Sequence, residues 1–177
     1  GSRKCDLAVI KCKNYTHQTR YQLPIPPSPN LPNMKSIYLY PSTCFFEATP
    51  VSLGRGTSLP FQVYGHPNMT GYNYSFTPRS IPGAKNPPQL NKLCHGVDLS
   101  NMSDEEIWKR GVDLTYVIDA YRNLNLDDHF FRPFFELLVG RDYVRKMIKE
   151  GKSADDIKAM WKGDVEKFKA QRKPYLL

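Results

Sequence analysis

The chain has 177 residues, 15 of them proline, and a formal net charge of +8; a chain this long buries about two-thirds of its unfolded surface, so one domain over residues 1–177 is expected. The charge is uneven, because residues 1–102 hold 10 Lys/Arg against the three acids Asp6, Glu47 and Asp98, whereas residues 103–177 hold 15 against 14. That carboxylate-poor first half favours an anionic partner, with nucleic acid, a membrane surface and an acidic glycan all open on charge alone, while no run approaches the roughly 18 apolar residues of a membrane span.

Gly1-Ser2 reads as a cloning remnant, with any targeting peptide upstream or removed. The apolar run Leu7–Ile10 predicts a strand. Most of the prolines fall between residues 24 and 90, and because proline lacks a backbone donor they exclude long helices there. Asn33 to Tyr40 predicts a short helix, capped by Asn33 and stopped before Pro41. Strands are expected at Phe61–Tyr64, Tyr74–Thr77 and Cys94–Leu99, the last alternating between Cys94, Gly96 and Asp98 on one face and His95, Val97 and Leu99 on the other.

The second half is helical. Ser103 with Glu106 forms a capping-box pattern, Asp113 predicts the cap of a helix carrying Leu114, Val117, Ile118, Tyr121 and Leu124, and Phe130, Phe131, Phe134 and Phe135 supply core aromatics. A helix over Phe134–Val139 closes at Gly140; Asp142 opens another, ended by Gly151. Ser153 caps a last helix whose apolar stripe runs through Ile157, Met160, Trp161, Val165 and Phe168 toward Tyr175-Leu176-Leu177, with Lys158, Lys162, Lys167, Lys169 and Arg172 on a solvated face. The fold class is therefore α+β: a small mixed or antiparallel sheet within a loop-rich part over residues 3–102, joined by proline-rich loops and covered by the helical part over 103–177. Strand order is not legible.

Cys5, Cys12, Cys44 and Cys94 have no Cys-x-x-Cys spacing and the four histidines are scattered, so no metal site is expected. Two disulfides are compatible with an exported protein, but Cys44 and Cys94 lie in apolar runs and read as buried thiols. No nucleotide or other cofactor is expected either, because Gly54-Arg55-Gly56-Thr57 lacks the spacing of a phosphate loop or dinucleotide fingerprint.

The chemistry concentrates between Pro29 and Pro67. Glu47 is the sole acid in the ninety-one residues between Asp6 and Asp98, and its nearest charged neighbours in sequence are Lys35 and Arg55, which should keep it ionised. Arg55 stands between Gly54 and Gly56, where a guanidinium can be presented to a planar carboxylate with two bonds. An internal Glu47–Arg55 ion pair that shapes the loop is the competing reading.

Pro27-Ser28-Pro29-Asn30, Tyr40-Pro41-Ser42-Thr43-Cys44, Phe46-Glu47-Ala48-Thr49, Gly54-Arg55-Gly56-Thr57, Pro60-Phe61 and Gly65-His66-Pro67 resemble the bacterial exo-β-N-acetylmuramidases of the NamZ type, long known as a domain of unknown function. Cys94-His95-Gly96-Val97, Leu137-Leu138-Val139-Gly140 and Phe168 with Arg172 and Tyr175-Leu176-Leu177 agree; Ala48, where the family more often has glycine, is a small departure. The resemblance covers the carboxy-terminal part of that family and implies an upstream Rossmann-like subdomain, absent here, with the active site between the two parts. It implies a peptidoglycan fragment or muropeptide bearing terminal N-acetylmuramic acid as substrate, and a periplasmic or secreted bacterial location. The presumed catalytic carboxylates lie in the other subdomain, so this chain is expected to carry no catalytic residue, to be inactive alone and to complete the cleft. Arg55 is then expected to hold the lactyl carboxylate, and Glu47, Thr49, Thr57, Asn30 and His66 to bind hydroxyls or the acetamido group. The alternative is a non-catalytic cell-wall glycan-binding module with Tyr38, Tyr40, Tyr72 and Tyr74 as stacking rings. A nucleic-acid partner has only charge in its favour and is not expected.

Overall fold

The computed structural model describes residues 5–176. Helix α1 (Met34–Thr43) starts at Asn33, whose extended backbone lets its Oδ1 accept from the Ser36 amide at 2.9 Å, satisfying a donor that has no partner inside the first turn. The helix does not stop before Pro41. A proline this near the end removes a single backbone donor, and later bonds carry the turn onward: Thr43 Oγ1 donates to the Leu39 carbonyl at 3.0 Å and the Cys44 amide to Tyr40. A 3-10 helix, Cys44–Ala48, continues the same path and carries Glu47.

Three short strands, β1 (Val63–His66), β2 (Tyr74–Phe76) and β3 (Cys94–Asp98), form an antiparallel sheet in the order β1-β3-β2. The first begins two residues later than its sequence suggests. Phe61 has φ +59°, which interrupts the extended backbone, and its amide donates instead to the Leu53 carbonyl at 2.7 Å. The strand expected at Leu7–Ile10 does not form: residues 5–23 are exposed and enter no strand.

Helices α2 (Asp104–Arg110), α3 (Thr115–Leu124), α4 (Phe135–Val139), α5 (Tyr143–Lys149) and α6 (Ala154–Arg172) follow, so the fold is α+β. Ser103 Oγ accepts from the Glu106 amide at 3.2 Å, but the Glu106 carboxylate turns away to Arg110 at 2.8 Å, leaving half a capping box. Asp113 Oδ1 accepts from the Thr115 amide at 2.8 Å and so serves the start of α3. At α6 the box is complete, with Ser153 and Asp156 bonding each other's amides.

Most of the buried apolar side chains form one cluster joining the α1 region, β1 and the helical half. Phe46 stacks on Tyr64 with centroids 4.8 Å apart, Phe131 meets Phe135 at 4.5 Å, and the Arg132 amide donates to the Ala48 carbonyl at 2.9 Å, which ties the helical half to the 3-10 turn beside Glu47. Phe134 is the one exposed member of its aromatic group. The apolar stripe of α6 also departs from expectation. Ile157 is buried and Trp161 partly so, but Met160, Val165, Phe168, Tyr175 and Leu176 are exposed; Leu177 lies outside the described residues. All four cysteines are free thiols, Cys94 buried, Cys44 partly buried, Cys5 and Cys12 exposed. Among the described residues no helix is long and apolar enough to cross a membrane.

Candidate functional site

The Gly-Arg-Gly turn is built so that Arg55 has few choices. Gly54 and Gly56 have φ +80° and +82°. A Cβ at Gly54 would collide with the Leu59 carbonyl and lie 2.7 Å from Val63 Cγ2; one at Gly56 would collide with the Arg79 carbonyl. Thr57 closes the turn: its amide and Oγ1 both donate to the Gly54 carbonyl, at 3.1 and 2.7 Å, and Oγ1 accepts from the Leu59 amide at 3.0 Å. The Arg79 amide donates to the Gly56 carbonyl at 2.8 Å and anchors the other side. Between these fixed points the Arg55 side chain is half-buried, and its Nε–H is buried without a hydrogen-bond partner among the described residues.

That guanidinium lines a cleft of about 260 Å³ together with Ser28, Asn30, Leu31, Tyr40, Glu47 and Phe61. Tyr40 and Glu47 reach it because α1 runs unbroken into the 3-10 helix, placing positions 40, 44 and 47 along one side of the helical path. Asn30 is held from both ends, its amide donating to Ser28 Oγ at 3.2 Å and its Nδ2 to the Gly83 carbonyl at 3.0 Å, and no described residue claims its Oδ1. The Tyr40 ring leans on Phe61 at 5.1 Å. The cleft thus offers a cationic fork, a carboxyl, an amide oxygen and two aromatic rings.

Of the six residues singled out in the sequence, the structure brings together Arg55, Glu47 and Asn30. The other three lie apart. Thr49 is buried, its Oγ1 donating to the Phe46 carbonyl at 2.9 Å and accepting from the Val51 amide at 3.2 Å; both of its bonding directions serve the loop, as do those of Thr57. His66 sits on β1, where its Nδ1 accepts from the Asn68 amide at 3.1 Å, leaving the proton on Nε2. Burial, then Lys92, pushes its pKa down, so it is neutral at physiological pH. Ser28, Leu31 and Phe61 also line the cleft; Ser28 and Phe61 stand in family-like blocks without having been singled out as binding residues, and Leu31 has no sequence signal. Of the four candidate stacking tyrosines only Tyr40 lines the cleft: Tyr38 packs edge-on against Trp108, Tyr72 donates to Asp119, and Tyr74 packs on Phe76.

The ion-pair reading fails, since none of the ion pairs among the described residues involves Glu47 or Arg55. The expected sign for Glu47 is also reversed: burial pushes its carboxyl up and the Arg55 charge offsets this only in part. Burial, then Glu47, likewise raises Tyr40, and pushes the Cys44 thiol up to about 11, so Cys44 is a neutral thiol and not a nucleophile at physiological pH.

A stability consequence follows for Glu47. A folded-state pKa above the unfolded one means that the folded chain holds the proton more tightly, so stability is lost as pH rises from the ordinary glutamate range through the raised value, and is level above it. Glu47→Gln is therefore expected to melt no lower than the parent at neutral pH, and to lack that portion of the pH dependence. Melting curves for both proteins between about pH 4 and pH 7 check this; a lower neutral-pH Tm for the variant would restore a structural pairing with Arg55.

The chain belongs to the NamZ family: residues 38–177 match the family model described as exo-beta-N-acetylmuramidase NamZ, C-terminal. It is 32% identical to the peptidoglycan beta-N-acetylmuramidase NamZ of Bacillus subtilis strain 168, over 97% of this chain and 45% of that protein. A crystal structure of a DUF1343 family protein from Bacteroides fragilis is 83% identical, with a TM-score of 0.94 over 98% of this chain and 49% of that one. The chain thus spans about half the length of the relatives it matches.

Proposed function

We propose that this chain is the carboxy-terminal half of an exo-β-N-acetylmuramidase that removes terminal N-acetylmuramic acid from peptidoglycan fragments, and that the Arg55 cleft is one wall of the substrate site. The observation that carries the reading is Arg55: its half-buried side chain lines an open cleft and enters no hydrogen bond or ion pair among the described residues. A half-buried guanidinium without a protein partner favours an acceptor from a bound ligand. A carboxylate answers that need, and the lactyl acid distinguishes N-acetylmuramic acid from N-acetylglucosamine. Glu47 and Asn30 then accept from sugar hydroxyls or the acetamido N–H, and Tyr40 covers a ring face.

Glycoside hydrolysis generally uses two carboxyl groups flanking the bond, and among the described residues Glu47 is the one carboxyl lining the cleft. The chain alone is therefore proposed to be inactive, with the rest of the machinery on the Rossmann-like half that the family resemblance implies. A peptidoglycan substrate fits a periplasmic or secreted setting. Heteronuclear NMR of the arginine side chains tests the clamp: N-acetylmuramic acid is expected to shift the Arg55 Nε–H resonance, and N-acetylglucosamine to leave it in place. Equal responses to both sugars, or none to either, would reject the assignment.

A further inference from the structure

Residues 5–15 are an anomaly in this fold. Leu7, Ala8, Val9 and Ile10 are four consecutive apolar residues, yet Leu7 is 77% exposed, Val9 50% and Ile10 93%. No hydrogen bond joins residues 5–15 to other described parts of the chain; side-chain ties to the folded body begin at Arg20, which pairs with Glu105 at 3.2 Å and lies over the Trp108 ring at 4.8 Å. An apolar run on both faces is the pattern of a strand buried on both sides, not of one lying on a surface. The sheet of this chain does not take the run in: its two edge strands, β1 and β2, each pair with β3 alone among the named strands, and β2 is three residues long with an exposed Ser75. Three such side chains in water are apolar burial that this chain leaves unused.

Two further observations say what takes up the run. The match to the carboxy-terminal family model begins at residue 38, so the projecting segment falls outside the part that defines this half. The similarity to longer proteins nevertheless includes it, since 97% of the chain aligns with the Bacillus protein and 98% with the solved Bacteroides structure, and those proteins are about twice as long.

We propose that Leu7–Ile10 is a structural graft: a strand that, in the full-length protein, lies within a sheet of the half this chain does not span and is covered on both faces there. The chain between this strand and Arg20 then links the two halves. The strand fixes the orientation of this half relative to the other, which a linker alone does not. The inference rests on family membership and not on the muramidase reading.

Amide hydrogen exchange followed by mass spectrometry tests it without any sugar, on this chain and on the full-length Bacteroides relative. The peptide over residues 7–10 is expected to exchange at the rate of an unfolded peptide in this chain, at every protein concentration, and to be protected at least about 100-fold in the relative. Unprotected exchange in both would overturn the proposal. Protection in this chain that grows with its concentration would overturn it too, by making a second copy the occupant. Val9→Pro removes a ladder donor; made at the aligned position it is expected to lower the Tm of the relative by several degrees, and in this chain to leave the Tm unchanged. A fall in both, or in neither, counts against the strand, and if the substituted relative does not fold, exchange in the unsubstituted proteins decides.

Discussion

Arg55→Ala in a full-length protein containing this half is expected to lower kcat/KM for N-acetylmuramic acid glycosides by roughly 30- to 1,000-fold, the effect of losing about 2–4 kcal/mol from a paired, partly desolvated carboxylate. Glycosides of N-acetylglucosamine, which lack the lactyl acid, should lose less than about threefold on the same estimate. The contrast matters more than the size. A variant that merely disturbed the cleft would slow both substrates alike, and parallel losses would exclude the clamp. Arg55→Lys refines the test, because an ammonium keeps the charge but not the planar fork; it should recover only part of the discrimination if two parallel bonds are being made. Stability is not expected to follow activity. Arg55 takes part in no ion pair among the described residues, and its removal also deletes a buried Nε–H that has no partner, so the alanine variant should melt within a few degrees of the parent.

Much of this architecture is written locally. Asn33, Ser103 and Ser153 mark helix starts because a capping side chain bonds an amide within its own turn, so the signal and its structural partner are three residues apart. The strands at Tyr74 and Cys94 show through as short extended patterns, the second alternating between two faces. What escapes is decided by groups distant in sequence. Pro41 reads as a helix stop, yet later bonds carry the helix through it, and that continuation puts Glu47 in the cleft. The left-handed turn at Phe61, which delays β1, depends on Leu53. The same distinction divides the site. Arg55 is legible because the glycines that present it adjoin it. Thr49 and Thr57 look like ligands because hydroxyl chemistry is the same whether it faces sugar or backbone, and only the fold shows both hydroxyls occupied by their own loop. For Glu47, sequence shows the nearest cations but not the burial that outweighs them. Leu7–Ile10 reads as a strand on local pattern and remains unpaired here, because pairing is a property of a sheet and not of the run.

Gly54→Ala is expected to be strongly damaging for a single added methyl in the cleft loop. The new Cβ would have to occupy the space of the Leu59 carbonyl and crowd Val63 Cγ2, at a backbone φ of +80° that alanine adopts only at a cost of about 1–2 kcal/mol. Relieving the collision moves the turn away from Leu59 and breaks the two bonds that Thr57 donates to the Gly54 carbonyl, each worth about 1 kcal/mol. Together these give a loss of about 3 kcal/mol, a fall in Tm of roughly 6–12 °C for a chain of this size. Gly71→Ala is the control, because Gly71 has nearly the same φ, +84°, with nothing within 4 Å of its added Cβ. It incurs the backbone strain alone, and should lose about 1 kcal/mol. If the two alanines prove equally mild, the turn is softer than its packing implies and Arg55 is not held in place by it. If Gly54→Ala is the worse by the expected margin, its folded population well below the new Tm should also lose the response of the Arg55 Nε–H to N-acetylmuramic acid, since a guanidinium whose turn has shifted no longer meets the carboxylate with both of its bonds.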